Sequence, residues 1–490
     1  MGISGKRAVV VGAGIAGLTA AARLAKEGYA TTLLEKGADA GGRAGRLERE
    51  GFRFDLGPTL LFMPDVFRAA FAACGADFDR EVPLARLPVN YRLHFADGRT
   101  LELSPVLSDT LASLESFAPG SGRSLLRYLA GSARAYELAR EHFVGRRIKS
   151  AWQFLSPRSI GALVASGAFR SLRATAARAF GTSELAAALS FQTMYLGMSP
   201  FASPELYRLL LFTEMGEGIF YPQGGMYALV SALERVARAR GALLQYGIEV
   251  DGVVRKGDTV VGVRAGDVTY PCDVALFTAD LPHAFETILG EKHRSTSMRL
   301  TPSALLLYVA LDKRYCGLRH HEFLMPADLR ETCRDIFERG IFPRDPAIYL
   351  AAPSGTDPGC APDGKEALYV LVPVPNLRGS IAWETETEAL AAEVLERIER
   401  RLLSGLRGRV RWFETRTPRD FARTLNLYGG AAFGLSHDLL QIGPFRPDTR
   451  HPRLRNLYFA GASTRPATGL PLVTMSAMQT VERICEEVPA

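Results

Sequence analysis

Residues 7–46, RAVVVGAGIAGLTAAARLAKEGYATTLLEKGADAGGRAGR, restrict this chain to few folds. Ala8-Val9-Val10-Val11 is a short apolar run with β-branched bias, long enough for a buried parallel strand. Gly12-Ala13-Gly14-Ile15-Ala16-Gly17 follows at once. Residues 18–26 turn to helical composition, and Gly28 stands where a helix C-cap glycine belongs. Thr31-Thr32-Leu33-Leu34 reads as a second buried strand, ending in Glu35. Strand, glycine loop, helix, strand and acid together are the fingerprint of a dinucleotide site.

Each part has a mechanical task. Gly12 permits the tight turn, Gly14 lets the backbone approach a pyrophosphate, and Gly17 lets the helix pack close to the strand. The helix N-terminus, carrying Ile15 and Ala16, offers free N–H groups and a partial positive charge to phosphates. Glu35, with Lys36 beside it, is placed to hydrogen-bond a ribose hydroxyl and disfavours a 2′-phosphate. Six residues after Glu35, Gly41-Gly42-Arg43 brings more backbone to the phosphates and adds a charge-assisted donor. This E-x5-GGR run after GxGxxG resembles the FAD site of the amine oxidase and phytoene desaturase superfamily.

With 490 residues, the chain is long enough for two or three domains and a large core. It carries a net charge of +7, nearly all from arginine, since only eight lysines occur. A basic balance fits nucleic acid or an anionic membrane surface. The basic residues are dispersed and no nucleic-acid motif is visible, so a membrane ranks above nucleic acid, beside a plain solvated surface. Six cysteines, unpatterned, read as reduced and cytosolic. Lys6 and Arg7 before an apolar run imitate a signal peptide, but cleavage there would destroy the fingerprint. No stretch approaches the ~18 apolar residues of a spanning helix. The expectation is a cytoplasmic protein held peripherally at the inner face of the cell membrane.

Further along, residues 51–59 read as a strand that turns at Gly57-Pro58-Thr59. Residues 65–75 read as a helix, and residues 91–103 as a hairpin in which His94 is a solvated strand histidine. Residues 108–180 are helical in pattern. Within them, residues 152–179 combine apolar side chains with Arg158, Arg170, Arg173 and Arg178, a pattern open to a membrane-interface helix or an ordinary surface pair. Residues 190–225 hold a dense set of ten aromatic and methionine residues, among them Phe191, Met194, Tyr195 and Tyr207. Such residues either line a tunnel for a long apolar ligand or form core, and core is the commoner fate. A helix over 226–239, a strand over 241–250, a small meander over 253–271 and a buried strand over 273–280 follow. Residues 303–311 and 367–374 read as strands and 384–403 as an amphipathic helix. No Ser/His/Asp, paired-carboxylate or metal constellation stands out, so no catalytic or metal-binding residue is named.

Three stretches carry a closer resemblance. GFRFDLGPTLLFMPDVFRAAFAACG, then SFQTMYLGMSPFASPELYRLLLFTEMGEGIFYPQGG, and finally NLYFAGASTRPATGLPLVTMSA resemble the bacterial and fungal phytoene desaturases. The chain departs from that pattern at Gln223, where Arg is usual, at Arg465, where His is usual, and at Ala467-Thr468.

The resemblance implies an α/β fold with α+β insertions. A Rossmann-like FAD domain (residues 1–105, 216–295 and 421–490) is interleaved with a mixed substrate and membrane-facing domain (106–215 and 296–420). It implies further FAD contacts at Gly57, Pro58, Thr59 and Val250, and at Gly461, Ala462, Gly469, Leu470, Pro471, Leu472 and Val473. The implied activity is FAD-dependent desaturation of a long apolar polyene, phytoene foremost, with oxygen or a quinone reoxidising the flavin. A later-step carotenoid desaturase, an isomerase or a saturase would share these motifs. A flavin-less prenyl-lipid carrier shares the fold, but the intact glycine, Glu35 and Arg43 set argues against it. An amine oxidase is disfavoured by the carotenoid-type middle and C-terminal motifs.

Overall fold

The computed structural model describes residues 5–144 and 156–490. Strand Arg7–Val11 is the centre of a five-stranded, wholly parallel sheet. Val274–Phe277 and Ala30–Leu34 flank it, and Leu457–Phe459 and Leu243–Gln245 lie outside them. All four residues of Val274–Phe277 are buried, as expected of a strand covered on both faces. Helix Ile15–Lys26 crosses between the first two strands. Its run of alanines lets it pack closely beside helices Tyr227–Ala239 and Leu470–Glu487, while Gly17 sits against Gly12 and Thr278. It closes at Gly28, with φ +94° and the Tyr29 N–H donating to the Leu24 carbonyl at 3.1 Å.

The strand expected over residues 241–250 is shorter, Leu243–Gln245. Gly247 adopts φ +70°, and the chain turns to follow the end of Ala30–Leu34 instead. Gly247 donates to Gly37 and Ile248 to Glu35, at 2.9 and 2.8 Å. Gly252–Lys256, Thr259–Ala265 and Val268–Pro271 form the expected antiparallel meander.

A seven-stranded sheet forms the second layer, in the order Val410–Arg416, Ser303–Leu311, Glu366–Val374, Ile348–Ala351, His321–Leu324, Tyr91–His94 and Thr100–Leu103. All nine residues of Ser303–Leu311 are buried, because the two faces of this strand serve different partners. Leu305, Leu307, Val309 and Leu311 pack with Val394, Leu395 and Ile398 of helix Trp383–Arg401. Ala304, Leu306, Tyr308 and Ala310 point the other way, into the largest core cluster. This is period-2 alternation with both faces covered, and each large side chain so buried contributes about 1.5–3 kcal/mol.

The hairpin within residues 91–103 pairs with this sheet, not with the nucleotide sheet. Tyr91–His94 lies parallel to His321–Leu324, and Thr100–Leu103 pairs antiparallel with Tyr91–His94 at the sheet's edge. His94 is not solvated. Its Nε2 meets the fully buried carboxylate of Glu322 at 2.8 Å, and the Arg319 N–H donates to the same carboxylate at 2.7 Å. The expected basic helix over 152–179 falls partly outside the described residues. What is described there is a pair of short helices, Pro157–Ala165 and Leu172–Phe180.

Candidate active site

A cavity of about 830 Å3 runs from the fingerprint to the inner face of the seven-stranded sheet. Of the residues expected from the sequence to contact FAD, all line it except Ala13 and Gly17. Those two hold its wall. The Ala13 N–H donates to Glu35 Oε2 at 2.6 Å, and the Gly41 N–H to the Ala13 carbonyl at 2.9 Å. A Cβ on Gly17 would stand 1.8 Å from the Gly12 carbonyl oxygen, and Gly12 itself requires φ +102°.

Gly14 is different. A Cβ there meets nothing within 4 Å, so its freedom from a side chain is space kept open on the cavity wall. Helix Ile15–Lys26 begins at this point without a side-chain cap, which leaves leading N–H groups and the positive end of its dipole at the cavity. The second glycine turn lies against the first, with Gly14 and Gly41 forming a bridge. Arg43 sits behind it, its guanidinium 3.6 Å from Asp280, whose other partners are Ser463 at 2.7 Å and the Tyr428 N–H at 3.0 Å. Glu35 accepts from the Gly37 N–H at 2.9 Å as well as from Ala13. Each of its oxygens keeps a second lone pair for a ribose hydroxyl. Lys36 donates to Asn426 at 2.8 Å. This open glycine cradle, with an uncapped helix end, an arginine and an acid, fits the pyrophosphate and ribose of FAD.

The C-terminal segment closes the cavity from the opposite side. Strand Leu457–Phe459 delivers Gly461 and Ala462, and the loop 465–469 returns into helix Leu470–Glu487. That helix starts at Leu470, and Pro471 suits its first turn. Arg446, fully buried, ties the loop together by donating to the carbonyls of Leu435, Ser436, Gln441, Ala462 and Thr464. Arg465 also lines the cavity, with Nη2 donating to the Pro444 carbonyl at 3.0 Å. The exposed Gln223 lies outside the cavity lining. Of the departures, Arg465, Ala467 and Thr468 therefore lie at the site and Gln223 does not.

Toward the seven-stranded sheet the lining turns apolar and aromatic. Of the ten aromatic and methionine residues noted in 190–225, Phe191, Met194, Tyr195 and Tyr207 line the cavity, while Met198, Met215 and Tyr221 are core. Alternate residues of the sheet complete the wall, including Leu306, Phe323, Tyr349 and Leu371. Thr59 joins the two halves: its hydroxyl lies 2.6 Å from that of Tyr349, which lies 2.8 Å from Nδ1 of the buried His321. Burial holds His321 well below the usual histidine range, so its ring is neutral.

Several lining residues escaped the sequence reading, and one of them is a buried acid. Glu214 is only 1% exposed, and burial pushes its carboxyl up to about 8. Its only local signal is an acid set between Leu209-Leu210-Leu211-Phe212 and Met215. Among the described residues, no group of His, Cys, Asp and Glu is arranged to hold a metal, and no helix is long and apolar enough to cross a membrane.

Residues 15–485 match the model of the flavin containing amine oxidoreductase family. The chain belongs to that family; it is an FAD-dependent oxidoreductase with an α/β fold. A solved oxidoreductase from Methanosarcina mazei shares that fold at a TM-score of 0.63 and 18% identity, covering 97% of this chain and 100% of the other. A zeta-carotene-forming phytoene desaturase of Myxococcus xanthus is 42% identical over 98% of this chain and 94% of its own length. A phytoene desaturase of Phycomyces blakesleeanus is 34% identical over 98% and 85%. Within the family, the chain stands among the carotenoid desaturases.

Proposed function

We propose that the chain desaturates phytoene or a close C40 relative. It removes two hydrogens from adjacent carbons and so lengthens the conjugated system. The observation that carries this reading is the single cavity with two chemical ends: a glycine cradle with Arg43 and Glu35 at one, an apolar aromatic wall at the other.

In this reading the Gly12–Gly17 loop, with Gly41, Gly42 and Arg43, receives the pyrophosphate. Glu35 and Lys36 stand at the ribose and Val250 at the adenine. Gly57-Pro58-Thr59 and the C-terminal set from Gly461 to Val473 face the flavin. FAD supplies the hydride acceptor. The protein's own work is to hold the carbon skeleton in register with it and to exclude water. Oxygen or a quinone then takes the electrons. The nucleotide part ends before the hairpin, near residue 87, since that hairpin belongs to the substrate sheet.

A polyene of this class resides in a bilayer, and one surface suits contact with it. Ile160, Val164 and Phe169 are 45, 58 and 71% exposed. They lie on or just after the helix whose Leu163 lines the cavity, beside Arg158 and Arg170. Exposed apolar side chains rimmed by arginine fit an anionic lipid surface.

Expression in cells that accumulate phytoene tests the substrate. New coloured polyenes are expected, their chromophore length counting the steps. Unchanged phytoene in cells whose recombinant protein purifies yellow with FAD would overturn the phytoene assignment and turn the search to later-step desaturation or isomerisation.

A further inference from the structure

Five carboxyl side chains line the cavity among the described residues: Glu35, Asp39, Glu249, Asp280 and Glu214. The first four stand on loops of the nucleotide-binding layer. Glu214, on the short turn Thr213–Glu217, is the one in the substrate-side wall. Burying a carboxyl among apolar groups is costly unless its oxygens are satisfied, and here they are satisfied unequally. Oε2 accepts from the Tyr91 hydroxyl at 2.7 Å and, at 3.4 Å, from Gln192 Nε2. Gln192 Nε2 also donates to the Tyr91 oxygen at 3.0 Å and to the Ala188 carbonyl at 3.1 Å. Both supporting side chains are themselves buried, so this carboxyl is held from one side in a fixed orientation. On the other side, Oε1 has no hydrogen-bond partner. The Tyr195 hydroxyl is near enough to influence the carboxyl, yet it too makes no well-formed hydrogen bond. A buried carboxyl left half-satisfied beside a cavity calls for an explanation, and a proton-transfer role supplies one.

We propose that Glu214 is the proton acceptor of the desaturation, with Oε1 receiving the proton from the polyene carbon next to the one that gives up hydride. This rests on the reading that a polyene occupies the apolar half of the cavity. One C–H bond breaks with its electron pair leaving as hydride to the flavin. The neighbouring C–H bond leaves its pair in the new C=C bond, and its proton forms an O–H bond on the Glu214 carboxylate. The substrate loses two hydrogens, the flavin gains a hydride, and the carboxylate becomes a carboxylic acid. A quinone acceptor then takes the hydride equivalent and that proton to become a quinol.

The surroundings match the base to this task. Burial raises the carboxyl to about 8, opposed by the hydrogen bonds of Tyr91 and Gln192 and by the nearby Tyr195 hydroxyl. These face it from strand Tyr91–His94 and turn Phe191–Leu196, while Glu217 on its own turn is engaged by Tyr136 at 2.5 Å. A carboxylate so raised is a stronger base for a carbon-bound proton. Only its ionised form accepts, so the rate rises as pH rises through about 8.

The test uses the full-length, FAD-loaded protein without oxygen, mixed with phytoene in phosphatidylcholine/phosphatidylglycerol vesicles, reading flavin bleaching against pH. Wild type is expected to bleach faster as pH rises toward a plateau above about 8. Glu214→Gln is expected to bleach about 10²–10⁴-fold more slowly, with a flat profile and KM within about twofold of wild type. Two readouts do not depend on turnover. The infrared band of a protonated carboxylic acid should fade through the same pH range in wild type and be missing from Glu214→Gln, and both proteins should bind phytoene equally without FAD. Equal rates and profiles in the two proteins would overturn Glu214 as proton acceptor while leaving the substrate reading intact. A wild type that binds FAD but never bleaches with phytoene would overturn the substrate reading and this proposal with it. Should Glu214→Gln fail to fold, Glu214→Asp keeps a carboxyl one methylene shorter. A slower rate with the pH dependence retained supports the proposal, and a flat profile overturns it.

Discussion

Gly14 and Gly17 lie three residues apart in one loop, yet they serve opposite purposes. A methyl on Gly17 collides with the Gly12 carbonyl at 1.8 Å, whereas one on Gly14 meets no protein atom within 4 Å. Gly17→Ala should therefore lower the melting temperature of the FAD-free protein. Gly14→Ala should leave that temperature unchanged and weaken FAD binding at least about tenfold, 1.4 kcal/mol, as read by flavin fluorescence titration. These glycines were legible in the sequence because each answers a local backbone demand. Glu214 was not legible. What buries and orients it is Tyr91, from a strand more than a hundred residues earlier, and Gln192, from a separate turn.

At the scale of elements, helix Tyr227–Ala239 depends on a partner outside its own sequence. It has no side-chain cap of its own. Asp55, at the end of strand Phe52–Asp55, accepts from the Met226 and Tyr227 N–H groups at 2.8 and 3.0 Å. Gly225 then adopts φ +86°, with room for a Cβ only 3.0 Å from the same carboxylate, which explains the second glycine of YPQGG. Losing such a cap costs about 1 kcal/mol, so Asp55→Ala should melt measurably lower. Burial pushes the Asp55 carboxyl up to about 6 from an ordinary 3.8. A raised folded-state value means that its contribution is fully present below about 4 and is lost as pH rises through about 6. The stability of wild type relative to Asp55→Asn, which does not titrate, should therefore fall across that window in parallel thermal melts. Elements written as long periodic or apolar runs were legible, as in strand Ser303–Leu311 and helix Trp383–Arg401. Their ends were less so. The strand expected to reach residue 250 stops at Gln245, because the turn at Gly247 is fixed by bonds to Gly37 and Glu35, just past the end of the neighbouring strand Ala30–Leu34.

Over the whole molecule, the sequence motifs mark the two walls of the cavity at the ends of the chain, but not how the middle joins them. That joint is the parallel pairing of Tyr91–His94 with His321–Leu324, a contact between distant residues that no local pattern announces. The same arrangement sets a lining residue, Leu163, on the same helix as exposed Ile160 and Val164. Replacing both exposed residues with aspartate should reduce sedimentation with anionic vesicles several-fold and slow turnover of vesicle-borne polyene, with no change in melting temperature. Unchanged sedimentation would remove this face from the membrane account.

The most direct measurement is anaerobic mixing of the purified, FAD-loaded protein with phytoene in vesicles, following flavin and polyene absorbance together. The account predicts loss of the oxidised flavin spectrum in step with a longer polyene chromophore, one flavin reduced for each double bond formed. Oxidised flavin that persists beside unaltered phytoene, in protein that binds both, would contradict it.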